Sequence, residues 1–333
     1  MRKVAALAAA AVTVVALRRA ATLRTSMRAA APELRTLAVL VTGIPMNSMT
    51  LPFVRLLMSM KSRPGSGVTV TEHHVEKVEV LVLKLTDGPS PRPAVLLLHG
   101  GGMCAGSAQL EAEPAARIVR AIGAVVVSPN YRLAPEHPFP GGLDDCMATL
   151  HWMVEHCDEL GIDAGRIAVC GTSAGGGLAA AVAQRAFDEG ISLRAQALVS
   201  PMLDDRTALR SDLAGKGELT WSPRSNRWAW TMYLGRRPRM SDAPEYAAPA
   251  RRADVAGLPA AWIGVGDLET FYDECVAYAH KLTAAGVCCG LVTVPGMYHT
   301  AEGIARNTLS MQEFHANMVQ FLRVHLGGAP ISG

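Results

Sequence analysis

The sequence predicts an α/β architecture: a mostly parallel, open sheet with helices on both faces and an α-helical cap inserted late in the chain. Three observations carry that prediction. Short apolar runs bounded by Gly or Pro recur along the chain, as strands buried on both faces must. Stretches of helical length and periodicity separate many of them, the alternation that builds parallel sheets. Residues 203–250 then break the rhythm, with no strand signal and three of the five tryptophans, Trp221, Trp228 and Trp230.

Each element follows in order. Residues 1–75 are read as an apolar, basic N-terminal helix and part of the cap, closed by a Pro/Gly/Ser joint over Ser62–Gly67. Val78–Leu85, "VEVLVLKL", alternates like a half-buried strand. The runs Ala94–Leu98, Ala124–Ser128, Arg166–Cys170, Ala195–Ser200, Ala260–Val265 and Gly290–Val294 read as buried parallel strands. Helical patterns cover Glu113–Ile122, Leu143–Glu159, Gly176–Glu189, Asp273–Ala285 and Met311–His325. The expected core is therefore 76–202 with 251–333, interrupted by the cap at 203–250. Ligands of such sheets bind outside the carboxyl ends of the strands.

Composition limits the function classes. A chain of 333 residues, half hydrophobic, can bury one large α/β core. The net charge is only +3, and residues 1–35 hold seven Lys/Arg against Glu33 alone. The remainder is slightly acidic, so no broad basic face recommends nucleic acid as a partner. The uncharged run Val4–Leu17 is 14 residues, short of the roughly 20 that cross a bilayer. Flanked by Arg18-Arg19 and lacking a small-x-small cleavage site, it is a poor signal peptide. It is a better candidate for a helix packed on the body or resting on an anionic membrane surface. Seven scattered cysteines without C-x-x-C suggest neither a zinc ribbon nor a thioredoxin-like site, and reduced thiols suit a cytoplasmic setting. Cys104 and Cys170 are expected to be small buried hydrophobes.

The chemistry centres on Gly171-Thr172-Ser173-Ala174-Gly175, where an apolar run meets an alanine-rich helix. G-x-S-x-G permits a sharp, strained strand-to-helix turn that exposes a serine hydroxyl. A Gly/Ser turn can also merely cap a helix, so Ser173 needs partners: a base, a group to orient it and donors for an oxyanion. His99-Gly100-Gly101-Gly102 follows an earlier strand. Its glycines leave the N–H groups of Gly101 and Gly102 open to join that of Ala174 around a developing negative charge. Among the later histidines, His280, His315 and His325 fall within helical patterns, whereas His299 follows a strand and a Pro-Gly turn. For the acid, Asp267 and Glu269 both lie just past a strand and would point oppositely if strand geometry continues. Asp273 and Glu274 fall in the next helix.

Taken together, His99-Gly100-Gly101-Gly102, "YRLAPEHPFP" at 131–140, Gly171-Thr172-Ser173-Ala174-Gly175, "YAAP" at 246–249, Asp273-Glu274 and the loop His299 are a specific set. The chain resembles the hormone-sensitive-lipase-like family of α/β-hydrolases over about residues 75–325. The resemblance implies an α/β-hydrolase fold and a Ser173–His299 pair. The family's G-x-x-D-x-x-x-D-E pattern, laid from Gly266, implies Glu269 as the acid where the family has aspartate, with Asp267 in reserve. It also implies that Asp144 and Asp145 are scaffold residues; the family's D-Y-R-L begins here with Asn130.

The expected function is a serine hydrolase of carboxylic esters with short to medium apolar acyl chains, in a pocket lined by Trp221, Trp228 and Trp230. The partner is a small ester, with no cofactor. Amide or lactone hydrolysis through the same triad is the enzymatic alternative. A ligand-binding protein on a hydrolase fold is the other, and it would be expected to have lost a triad member. "GTSAGGG" lacks the lysine of a P-loop, no G-x-G-x-x-G opens a helix after the first strand, and "HWMVEH" has neither zinc-protease spacing. No metal is expected.

Overall fold

The computed structural model describes residues 23–213 and 215–327. Eight strands form one sheet in the order β1-β2-β4-β3-β5-β6-β7-β8: β1 Val68–Val75, β2 Val78–Leu85, β3 Arg92–Leu98, β4 Val125–Pro129, β5 Ile162–Thr172, β6 Ala195–Val199, β7 Ala260–Gly266 and β8 Cys289–Val294. β2 runs antiparallel to both β1 and β4. The other pairs are parallel. The main helices are α1 Leu51–Met58, α2 Ala112–Ile122, α3 Gly141–Glu155, α4 Ala174–Asp188, α5 Pro223–Leu234, α6 Tyr272–Ala284 and α7 Leu309–Leu326.

The two-residue period of the strands sorts the core into two layers. Leu96 and Leu98 of β3, Val169 of β5 and Ile263 of β7 share one cluster with Leu143, Met147, Leu178 and Leu282 of α3, α4 and α6. Val95 and Leu97, Cys170 and Val199 face the other way, toward Ile118 and Val119 of α2 and Phe314, Met318 and Leu322 of α7. Both faces of the sheet are thereby covered, which is why the inner strands read as continuous apolar runs.

The structure departs from the sequence reading at the edges. β1, "VTVTEHHV", escaped it because this edge strand exposes half of its side chains and carries no apolar run. β8 is expected to be buried but is only half so, because it closes the opposite edge. The helix expected over Leu143–Glu159 ends at Glu155, and a single turn over Cys157–Leu160 follows. His156 leaves helical geometry, with both its N–H and its ring Nδ1 beside the Trp152 carbonyl. β5 begins four residues before the expected Arg166 because Ile162 pairs with Arg92.

Within 203–250 the chain forms a short 3₁₀ turn and α5, whose N-terminus is capped by the Ser222 hydroxyl and whose C-terminus ends on left-handed Gly235. This segment meets the N-terminal one: Met46 N–H donates to Ser225 Oγ at 3.0 Å and Trp228 Nε1 to Ser48 Oγ at 3.2 Å.

Candidate active site

Four loops at the carboxyl ends of β3, β5, β7 and β8 converge on Ser173. The residue lies between β5 and α4 at φ 58° and ψ −117°, a left-handed conformation that costs a non-glycine residue energy and must be held by its surroundings. They do hold it: Ser173 N–H donates to Val199 O at 2.8 Å, and its carbonyl accepts from Met202 and Gly177. The flanking glycines are required sterically. A Cβ on Gly171 would lie 2.1 Å from Gly175 O, and one on Gly175 would lie 2.0 Å from Leu98 O. Only hydrogen fits where the turn crosses β3.

His299 Nε2 is 2.9 Å from Ser173 Oγ, and His299 Nδ1 is 2.6 Å from Glu269 Oε2. The other Glu269 oxygen accepts from Ser200 Oγ at 2.8 Å and from Gly266 N–H at 2.7 Å, so the buried carboxylate is satisfied on both sides. Burial pulls the imidazole pKa of His299 down. The Glu269 hydrogen bond and charge, with the charge of Glu302 behind them, outweigh it, and the net shift is upward. Of the two acids left open by residue spacing, Glu269 meets the histidine. Asp267 accepts from Gly296 N–H at 2.7 Å and fastens the turn that carries His299.

In the loop after β3, Gly101 and Gly102 adopt φ 126° and 62°. A Cβ on Gly101 would lie 2.0 Å from Ala105 O, and one on Gly102 would lie 2.4 Å from the Trp221 ring. The amides of Gly101, Gly102 and Ala174 have no acceptor among the described residues. Ala174 owes this to its place in the first turn of α4. His99 stacks on Tyr131 at 4.1 Å, and its carbonyl accepts from the Tyr131 hydroxyl. Burial lowers its pKa to about 4, so it serves the loop as a neutral imidazole. Arg55 of α1 donates to Cys104 O at 2.7 Å and to Ala134 O at 2.9 Å, clamping the same loop from outside.

Of the three tryptophans, Trp221 alone stands at these loops, its ring 6.2 Å from that of His299, with Phe271 at 5.2 Å. Trp228 turns to Ser48, and Trp230 is wholly buried against Tyr233. Two residues apart on α5, they face roughly opposite sides of the helix. A fully buried ring such as that of Trp230 has no surface to offer a pocket.

Other expectations find plain structural places. Asp145 takes the guanidinium and N–H of Arg132, and Asp144 pairs with Arg185. Asn130 accepts from Ala108 N–H and donates to Glu79 and Gln109, a donation that an aspartate could not make. Cys104 and Cys170 are buried thiols, both pushed up to about 12 by burial. Sequence reading places Tyr131 only within the 131–140 motif, and Ser200, Phe271 and Arg55 escaped it as site residues. Only long-range folding brings them here, and no local spacing marks them. Among the described residues no three His, Cys, Asp or Glu gather as metal ligands would.

The arrangement offers a polarised hydroxyl, a buried base with an oriented tautomer, and three amide dipoles, the equipment of acyl transfer. Residues 95–302 match the family described as alpha/beta hydrolase fold. The chain is 39% identical over 216 residues to carboxylesterase NlhH of Mycobacterium tuberculosis, covering 62% of this chain and 66% of that protein. It is 30% identical over 263 residues to ethyl acetate hydrolase of Pseudomonas putida, covering 78% and 82%. Among solved structures, a bacterial heroin esterase superimposes with TM-score 0.82 at 31% identity, over 90% of this chain and 99% of that one.

Proposed function

The chain belongs to the hormone-sensitive-lipase-like family of α/β-hydrolases, and from that premise we propose that it is a carboxylic ester hydrolase working through an acyl-enzyme on Ser173. The observation that carries this reading is the unbroken chain Ser173 Oγ–His299–Glu269, 2.9 and 2.6 Å long, at a strained strand-to-helix turn. His299 takes the serine proton as Oγ attacks the carbonyl carbon. Glu269 holds the tautomer and stabilises the imidazolium. The Gly101, Gly102 and Ala174 amides receive the oxyanion. His299 then protonates the departing alcohol, and water repeats the sequence to free the acid.

The preferred acyl group is short to medium and apolar. Trp221 and Phe271 beside the imidazole support this, as does the relative named for ethyl acetate. Residues 76–202 and 251–327 form the catalytic core in this reading, with 23–75, 203–213 and 215–250 building over it; the expected bounds at 1 and 333 lie outside the described residues. Seven unpaired cysteines support a cytoplasmic setting. The basic residues 1–35 support attachment to a membrane surface, although 1–22 lie outside the described residues. No helix among the described residues is long and apolar enough to cross a membrane.

A series of p-nitrophenyl esters from acetate to palmitate tests the chain-length reading: kcat/KM is expected to peak at short to medium acyl chains. A rise continuing to palmitate refutes it. Matched anilide and lactone substrates are expected to turn over far more slowly than the ester, and an anilide preferred over its ester would make the protein an amidase.

A further inference from the structure

Of the eleven strongly exposed large apolar side chains among the described residues, five fall within residues 37–60. Four of these have helical spacing on and around α1: Met49 (91% exposed), Phe53 (52%), Leu56 (68%) and Met60 (64%). The opposite side of the helix is occupied. Leu51 is buried, Val54 and Met58 pack on the core, and Arg55 grips the Cys104 and Ala134 carbonyls. The outward stripe is therefore not a core face displaced by one register. It is a second apolar face, and water is a poor solvent for it.

Charge identifies the occupant. Residues 1–63 carry ten Lys/Arg against Glu33 alone, whereas the rest of the chain carries 22 against 28 acids. Lys61 and Arg63 are placed directly after Met60, and the exposed Arg24 and Arg28 precede the stripe. A large apolar stripe within a positively charged segment of an otherwise acidic body fits the surface of an anionic bilayer, where such a face sinks about 5–10 Å into the headgroup boundary.

The segment is also fastened to both halves of the site. Tyr298, next to His299, donates its hydroxyl to Leu34 O at 2.9 Å, and Ala31 N–H donates to Gly296 O on the histidine loop. On the other side, Ser107 Oγ donates to Met58 O at 3.1 Å, and Arg55 holds the loop after Gly102.

We propose that Met49, Phe53, Leu56 and Met60, with Lys61 and Arg63, form a docking face for anionic lipid that sets the orientation of the Ser173 site relative to a membrane surface. The proposal deepens the membrane attachment suggested by residues 1–35. Ester hydrolysis can fail or stand independently of it.

The test is co-sedimentation of the full chain with vesicles of phosphatidylcholine alone and of phosphatidylcholine mixed with phosphatidylglycerol, at low and high salt. The full chain is expected to bind the mixed vesicles, to bind the neutral ones far less, and to be released by salt. Replacing Met49, Phe53, Leu56 and Met60 together by Gln is expected to cut that binding by about tenfold or more. Melting temperature and turnover of a soluble short-chain ester should stay unchanged. Undiminished binding by this variant overturns the proposal and leaves attachment to residues 1–35 alone. No binding by the full chain, with a self-associating species in ultracentrifugation that the variant abolishes, also overturns it and makes the stripe a contact between copies. Vesicle binding without ester turnover would refute the hydrolase reading and leave the docking face standing.

Discussion

At the scale of the residue, Glu269, Asp267 and Glu302 each make a separable forecast under the proposed mechanism. Glu269→Gln keeps the volume but supplies an amide where Nδ1–H needs an acceptor with charge. A fall in kcat of about 10³–10⁴-fold is expected. Asp267→Asn should leave kcat within a fewfold, because that side chain fastens Gly296 and does not touch the imidazole. Steady-state kinetics on the two variants separates them. The pH profile follows from His299. Burial lowers its pKa, but Glu269 and then Glu302 raise it to a net value above the ordinary imidazole. The base is active only when neutral, so activity is lost as pH falls through that raised value. The acid limb of kcat/KM is therefore expected above about 6.5. Glu302 is itself buried, with its own pKa pushed up to about 7 by that burial. Glu302→Gln removes one of the charges that raise His299 and is expected to move the acid limb to lower pH without lowering the plateau. An unmoved limb would contradict the coupling. Ser173 and His299 were legible because their strands and turns surround them locally. The choice between Asp267 and Glu269 was not, since residue spacing left both open and only resemblance favoured Glu269.

At the scale of the element, the turns carry more of the site than the strands do. Gly101→Ala would put a Cβ 2.0 Å from Ala105 O, backbone that cannot step aside, at φ 126°. The oxyanion loop must shift, and a loss near 3 kcal/mol of transition-state stabilisation, about 10²-fold in kcat, is expected together with a lower melting temperature. Trp221→Ala is expected to raise KM for apolar esters more than Trp228→Ala does, because Trp228 faces Ser48 and not the catalytic loops. The inner strands could be read from the chain because burial on both faces writes an unbroken apolar run. β1 could not, since it faces water and its Thr, Glu and His carry no such run. The clustering of three tryptophans in sequence likewise did not reveal which side of α5 each would take.

At the scale of the whole molecule, the segment 203–250 is tied to the chain that follows it by Asp205 and Arg251, 2.6 Å apart, with the carboxylate wholly buried. Asp205→Ala leaves a mostly buried guanidinium with only the Arg239 and Met240 carbonyls to receive it and is expected to cost about 3 kcal/mol in urea denaturation. A loss of only a few tenths would show that the pair contributes little to holding this segment. The fold class was legible because alternation of short apolar runs with helical patterns has few other solutions. The joining of residues 23–60 to both catalytic loops was not, because contacts between distant segments leave no periodicity. If Ser173 is the nucleophile, active-site labelling will find it. Treating the full chain with a fluorophosphonate and locating the adduct by mass spectrometry is expected to give one modification, on Ser173. In folded Ser173→Ala that adduct should be absent, and ester turnover should fall by about 10⁴-fold or more. An adduct on another residue, or near-normal turnover in folded Ser173→Ala, would mean that a different group attacks the ester.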